Sequence, residues 1–168
     1  MGPPQWIVLA ILVQRLAELA YARANTRRLV AAGAVESGAG HLPLIVAVHA
    51  GWLAALFFGV APDAPVSAPL LGLYALLQAG RLWVMASLGR RWTVRVLVLP
   101  GAPLVRRGPY RLWRHPNYAI VAAEIAVLPL AFGAWAIAAV ASALNALVLG
   151  HRIRVEDAAM TAASTNNT

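Results

Sequence analysis

The sequence has no cysteine and no lysine. Without cysteine there is no disulfide, no thiol nucleophile and no thiolate ligand for a metal. Charge is scarce: 12% of the 168 residues are charged, against roughly a quarter in an ordinary soluble domain. Acidic residues are scarcest, six against fourteen arginines, which leaves a formal net charge of +8. So little charge beside 61% apolar residues excludes both a soluble globular domain and a disordered chain. What is abundant is hydrocarbon. The apolar share amounts to about 100 residues, enough for five helices of roughly 20 residues each. The length argues for one domain, so residues 1–168 are read as a single membrane-embedded unit.

The apolar runs fall at about 6–24, 42–60, 70–88, 117–131 and 135–150. They predict an all-α integral membrane protein of five transmembrane helices. The last two runs form one long stretch, too long for one span and short for two. Pro129 and Gly133 break it into a short C-terminal hairpin of compact helices. The segment between the runs at 42–60 and 70–88 is rich in proline and reads as a turn. The first run follows no basic region and leads to no small-residue cleavage site, so it is read as a retained span.

The arginines alternate along the chain. Arg23, Arg27 and Arg28 follow the first run, and none lies between the second and third. Seven, at 90, 91, 95, 106, 107, 111 and 114, follow the third. None lies in the hairpin turn, and Arg152 and Arg154 close the series. This pattern puts the N-terminus outside the inner membrane, and the C-terminus with the Arg-rich segments on the cytoplasmic side. Arginines that flank spans also explain the basic charge without nucleic acid, so neither a nucleic-acid partner nor a metal is expected.

Polar residues inside the runs share faces. Gln14, Glu18, Tyr21 and Asn25 lie at i, i+4, i+7 and i+11, and Tyr74, Gln78 and Arg81 at i, i+4 and i+7. Such stripes must look into the bundle. Arg15, Glu18, Arg81 and Glu124 balance as two cations and two anions, which predicts pairing that holds the helices together. A polar transport pathway is the alternative. His49 is expected to be an interior hydrogen-bonded side chain. Trp83, Trp92 and Trp113 are expected as anchors at the membrane interface.

Two segments carry chemistry: LVRRGPYRLWRHPNY at 104–118 and RIRVED at 152–157. Pro116 suits the first turn of a helix, whose free N–H groups and positive dipole end attract an anion. Tyr110, His115 and Tyr118 add ring faces and polar tips. In the second segment Arg152 and Glu156 share a helix face with Asn145. A carboxylate there favours a cation such as a sulfonium, and a guanidinium holds an anionic oxygen by two parallel bonds. Taken alone, the same residues read more simply as an interfacial belt and a surface ion pair.

Together, GPYRLWRHPNY and, some forty residues later, RIRVED resemble the isoprenylcysteine carboxyl methyltransferase family, over roughly residues 70–160. The early QRLAELAYARANTRRL and GAVESGAGH are similar to its small bacterial branch. The resemblance implies a multi-span membrane O-methyltransferase that uses S-adenosylmethionine. It implies a cytoplasmic cofactor pocket lined by Pro103, Leu104, Val105, Tyr110, His115, Pro116, Asn117, Tyr118 and Glu156. Arg152 and Glu156 would be catalytic, with Arg152 and Asn145 toward the acceptor. Glu36, Gly38 and His41 would help cover the pocket. Asp157 departs from the second glutamate usual at its position, and the chain lacks the tyrosine-containing tail of eukaryotic members. The implied acceptor is therefore a lipophilic carboxylate or hydroxyl, such as that of a long-chain polyketide lipid. His115 or His151 would be the candidate proton acceptor. Phospholipid N-methylation, or a non-catalytic transporter or scaffold, are the alternatives.

Overall fold

The computed structural model of the chain describes residues 1–37, 42–103 and 105–165, with side chains as far as residue 159. Five helices carry the architecture: α1 (Pro3–Ala31), α2 (Leu42–Gly59), α3 (Ala68–Leu88), α4 (Pro116–Ala131) and α5 (Trp135–Thr165). Two 3₁₀ turns, Gly89–Arg91 and Gly108–Arg111, follow α3 and precede α4. Three helical segments are long and apolar enough to cross a membrane: α2, the stretch from Ala68 to Arg91, and α5 as far as Ala159. The protein is thus a mostly helical membrane protein. α4 has 16 residues, about 24 Å of helix, shorter than the roughly 30 Å hydrocarbon core.

The predicted hairpin is present. α4 ends at Ala131, Gly133 takes φ +69°, and α5 starts at Trp135. The positive φ suits glycine. It lets the Ala134 N–H reach back to the Pro129 carbonyl at 2.9 Å and close the end of α4.

Cross-links fix the directions of the helices. Gln14 donates to Gln78 at 2.8 Å, Arg81 to Glu18 at 2.9 Å, and Asn25 to the Trp92 carbonyl at 2.9 Å. These rungs set α1 and α3 side by side and parallel. Gln5 donates to the Val60 carbonyl at 2.8 Å and to that of Phe57, satisfying acceptors left over at the end of α2 and setting α2 antiparallel to α1. The Ser67 N–H donates to the Ala131 carbonyl at 2.8 Å, so α4 runs against α3. The ends of α1 and α3, the start of α4 and the C-terminal half of α5 therefore share one side of the bundle. That side holds thirteen of the fourteen arginines if Arg81, one of the two buried within the bundle with Arg15, is counted at its margin; without those two it holds the other twelve.

The core is in two parts. One packs Val8, Ile11, Trp52, Leu53, Leu56, Tyr74, Val121, Ile125 and Leu128, and the other packs Ala22, Val84 and Trp92 with Tyr110 and Ile120 against them. Between them lies a closed ionic network. Arg15 bridges Glu18 at 2.9 Å and Glu124 at 2.8 Å, while Arg81 bridges Glu18 at 2.7 Å and Glu124 at 3.4 Å. The predicted pairing is what holds α1, α3 and α4 together here. Each charge has its counter-charge within the network, so low dielectric strengthens the attraction that offsets desolvation.

Three local expectations need correction. Tyr21 lies on the predicted inward stripe but is 39% exposed, because it sits at the edge of the stripe away from the face that buries Glu18, Ala22 and Asn25. Trp92 is no interface anchor: it is 4% exposed and lies under the Arg81 guanidinium, 5.7 Å from its ring centre. Trp83 and Trp113 are exposed as expected. The all-α reading also lacked a short antiparallel ribbon, β1 (Val35–Ser37) with β2 (Val96–Val98), which pairs Val35 with Val98 and Ser37 with Val96. The ribbon rests against α5. His49 sits in α2, half-buried, its Nδ1 2.9 Å from the Ile45 carbonyl.

Candidate active site at the start of α4 and the end of α5

Pro116 opens α4 as its first helical residue, with His115 at the N-cap. Proline tolerates this position because its missing N–H would have no helical acceptor. The chain reaches it through the 3₁₀ turn at Gly108–Arg111, which packs on α3. Gly108 has φ +57°, and a Cβ there would collide with Ser87 Oγ. The turn is therefore seated against α3 by the lack of a side chain. Arg107 locks it by donating Nε–H to the Ser87 carbonyl at 2.6 Å.

α5 runs back alongside α4 and brings the second segment to the first. The Tyr118 hydroxyl donates to Glu156 Oε2 and accepts from Arg152 Nε at 2.8 Å. The Arg152 guanidinium carbon lies 5.5 Å from the Tyr118 ring centre, a cation–π contact. His115 stacks on Tyr118, with ring centres 5.2 Å apart and planes 12° from parallel. Its Nε2 is 3.2 Å from Asp157 Oδ1, and its Nδ1 is 3.9 Å from Glu156 Oε1. Residues 34 to 42 positions apart thus meet in one cluster of two carboxylates, a guanidinium, an imidazole and a phenol. The Nη groups of Arg152 make no hydrogen bond among the described residues, so its fork stays available to an anion. The side-chain carbonyl of Asn117 is buried there without a donor.

Tyr110 borders this cluster. Its burial, and secondarily the nearby Glu156 carboxylate, push its phenol up to about 12, so it stays neutral. Pro116 is buried at the helix start.

Other predicted site residues lie elsewhere. Asn145 is buried in α5, seven residues before Arg152, about 10 Å along the helix, and no hydrogen bond joins it to the cluster. Pro103 and Val105 line a separate cavity with Leu88, Arg91, Arg106 and Arg107, which includes no member of the cluster. Leu104, Gly38 and His41 lie outside the described residues. Glu36 is engaged on the ribbon by Arg95 at 2.6 Å, and no hydrogen bond or ion pair among the described residues joins it to the cluster. Asp157 was noted in the sequence only as a departure from a family pattern. Its partner, His115, becomes visible once the two segments are adjacent.

The chain matches the isoprenylcysteine carboxyl methyltransferase (ICMT) family over residues 70–162, more than half of its 168 residues. The chain belongs to the ICMT family. The matched stretch begins in α3 and ends in α5, so it contains the whole cluster. Family membership makes this a membrane methyltransferase at family level. The chain is also 40% identical over 160 residues to the "Uncharacterized protein YpbQ" of Bacillus subtilis, covering 92% of this chain and 95% of that protein. It is 29% identical over 159 residues to an "Uncharacterized protein" of Haemophilus influenzae, covering 89% and 90%. No solved structure matches.

Proposed function

We propose that this ICMT-family protein is an S-adenosylmethionine-dependent O-methyltransferase acting on a lipophilic carboxylate or hydroxyl acceptor. All five helices would traverse or enter the bilayer, with the N-terminus outside and the site at the cytoplasmic face. The observation that carries the reading is the meeting of His115 and Tyr118 with Arg152, Glu156 and Asp157.

The residues present fit the cofactor's chemistry. Two carboxylates suit its positive centres, the stacked His115 and Tyr118 rings offer an aromatic face, and the unpaired Asn117 oxygen calls for a donor. His115, Asn117, Tyr118 and Glu156 would hold it, with Tyr110 and Pro116 at the margin. When bound, it supplies a methyl carbon made electrophilic by a positive sulfur.

The chain's own task is to position and desolvate. Arg152, steadied by its Nε bond to Tyr118, presents its free fork to an acceptor oxygen. A carboxylate acceptor needs no proton removed. A phenol or enol acceptor must lose one, and the guanidinium favours its anion. Glu156 fixes the Tyr118 hydroxyl and so the height of the Arg152 fork. A neutral Tyr110 adds no competing negative charge. The greasy part of the acceptor would arrive sideways from lipid.

The test uses methyl-labelled S-adenosylmethionine, membranes containing the full chain, and lipid extraction. Label in the organic phase, lost in Arg152→Ala and Glu156→Ala, is expected. Mild alkali then releases labelled methanol from an ester but not from an ether or a methylamine. Undiminished labelling by both variants would overturn the assignment of the site.

A further inference from the structure

His115 stands at the N-cap of α4, yet its side chain makes no capping hydrogen bond. Its ring is placed by other contacts. One flat face stacks on Tyr118. The edge meets two adjacent carboxylates of α5, Asp157 at Nε2 and Glu156 at Nδ1.

The two edge contacts differ in kind. At 3.2 Å, Nε2 and Asp157 Oδ1 are within hydrogen-bond reach. A carboxylate oxygen only accepts, so Nε2 carries the proton of this bond. At 3.9 Å, Nδ1 and Glu156 Oε1 are too far apart for a direct bond. In a neutral ring, a proton on Nε2 leaves Nδ1 as a bare lone pair. Nδ1 and Oε1 are then two acceptors side by side. No hydrogen bond among the described residues brings a donor to either, since the Tyr118 hydroxyl goes to Oε2. Without Asp157 the ring could carry its proton on Nδ1 instead. That proton would turn toward Glu156 and close the pair on itself. Asp157 therefore keeps open a two-acceptor site that suits an ammonium group or a vicinal diol and repels a carboxylate. S-adenosylmethionine carries both of the favoured groups.

We propose that Asp157 is a positioning residue for the cofactor. It fixes His115 with the proton on Nε2, so that His115 Nδ1 and Glu156 Oε1 together receive N–H or O–H donors of the ligand. Asp157 acts through the ring and touches no reacting atom. The ligand's identity rests on the cofactor reading above, and the tautomer rests on the fold alone.

The experiment reads the tautomer first, with no cofactor present. Full-length protein with isotope-labelled histidine ring nitrogens is held in micelles at about pH 8.5, above the ordinary imidazole pKa of roughly 6.5. Nuclear magnetic resonance then gives the ring signals of the four histidines, and those lost in His115→Gln belong to His115. The wild type is expected to hold its proton on Nε2. Asp157→Ala should transfer it largely to Nδ1, whereas Asp157→Glu, which keeps a carboxylate, should leave it on Nε2. Titration with S-adenosylhomocysteine should then show binding about tenfold weaker in Asp157→Ala and within about threefold of wild type in Asp157→Glu. A wild-type proton on Nδ1 would overturn the proposal, and so would an unchanged tautomer or an unchanged affinity in Asp157→Ala. No binding by the wild type, alongside the expected tautomer shift, would overturn the cofactor reading and leave the pairing of Asp157 with His115 standing.

Discussion

Glu124 is the most demanding position in the bundle. It is 2% exposed and accepts from Arg15 at 2.8 Å, Gln78 at 2.8 Å and Arg81 at 3.4 Å. Glu124→Gln preserves its shape but removes its charge, leaving two guanidinium groups facing one carboxylate. Both of those arginines bond Oε2, while Gln78 bonds Oε1. Whichever way the new amide turns, its NH₂ meets a donor. Removing one partner of a buried ion pair costs about 3–5 kcal/mol, and that range is expected here. Adding Arg15→Gln restores neutrality, because Arg81 still holds Glu18 through bonds of 2.9 and 3.0 Å. The double variant should then be less destabilised than the sum of the singles, by about 1–3 kcal/mol. Reversible unfolding in mixed micelles measures all three. A Glu124→Gln cost below about 0.5 kcal/mol, or strict additivity, would refute a network held by mutual neutralisation. Either result would also return the four charges to the transport alternative.

Two other perturbations probe the approach to the site. Gly108→Ala must place a side chain at φ +57° and push into Ser87, so thermal stability should fall by an amount equivalent to about 2 kcal/mol or more; Ser87→Ala should recover part of it, and equal stability of wild type and Gly108→Ala would show that the turn is not seated as described. Tyr110, whose phenol is raised to about 12 from roughly 10 in the unfolded chain, contributes stability that is fully present below about pH 10 and is lost as pH rises through about 12. Tyr110→Phe should flatten the fall in stability across that window, and an unchanged pH profile would contradict the burial assigned to it.

Much of this architecture follows from lipid being a poor solvent for charge. Arg15, Glu18, Arg81 and Glu124 could be read as mutually paired because four ions in apolar runs have few other fates. Which pairs form depends on the parallel register of α1 and α3, and no period within one helix encodes that. The hairpin was legible because Pro129 and Gly133 are local breakers. The ribbon was not, since its two strands of three residues are joined by partners some sixty positions apart. Trp92 and Trp113 look alike in sequence, yet one lies beneath Arg81 and the other is 65% exposed, a difference made by packing. At the site, helix periodicity correctly put Arg152 and Glu156 on one face, and the antiparallel return of α5 delivered that face to Tyr118. Periodicity also put Asn145 there. It shares the face but sits too deep along the axis to reach the cluster, because a face fixes an angle and not a height.

The most direct test of the cofactor assignment is calorimetric titration of the purified full-length protein with S-adenosylhomocysteine, comparing wild type with Tyr118→Phe and Glu156→Gln. Saturable binding by the wild type at one molecule per chain, weakened at least about tenfold in each variant, is the predicted result. No heat of binding in the wild type, or equal affinity in all three proteins, would contradict it.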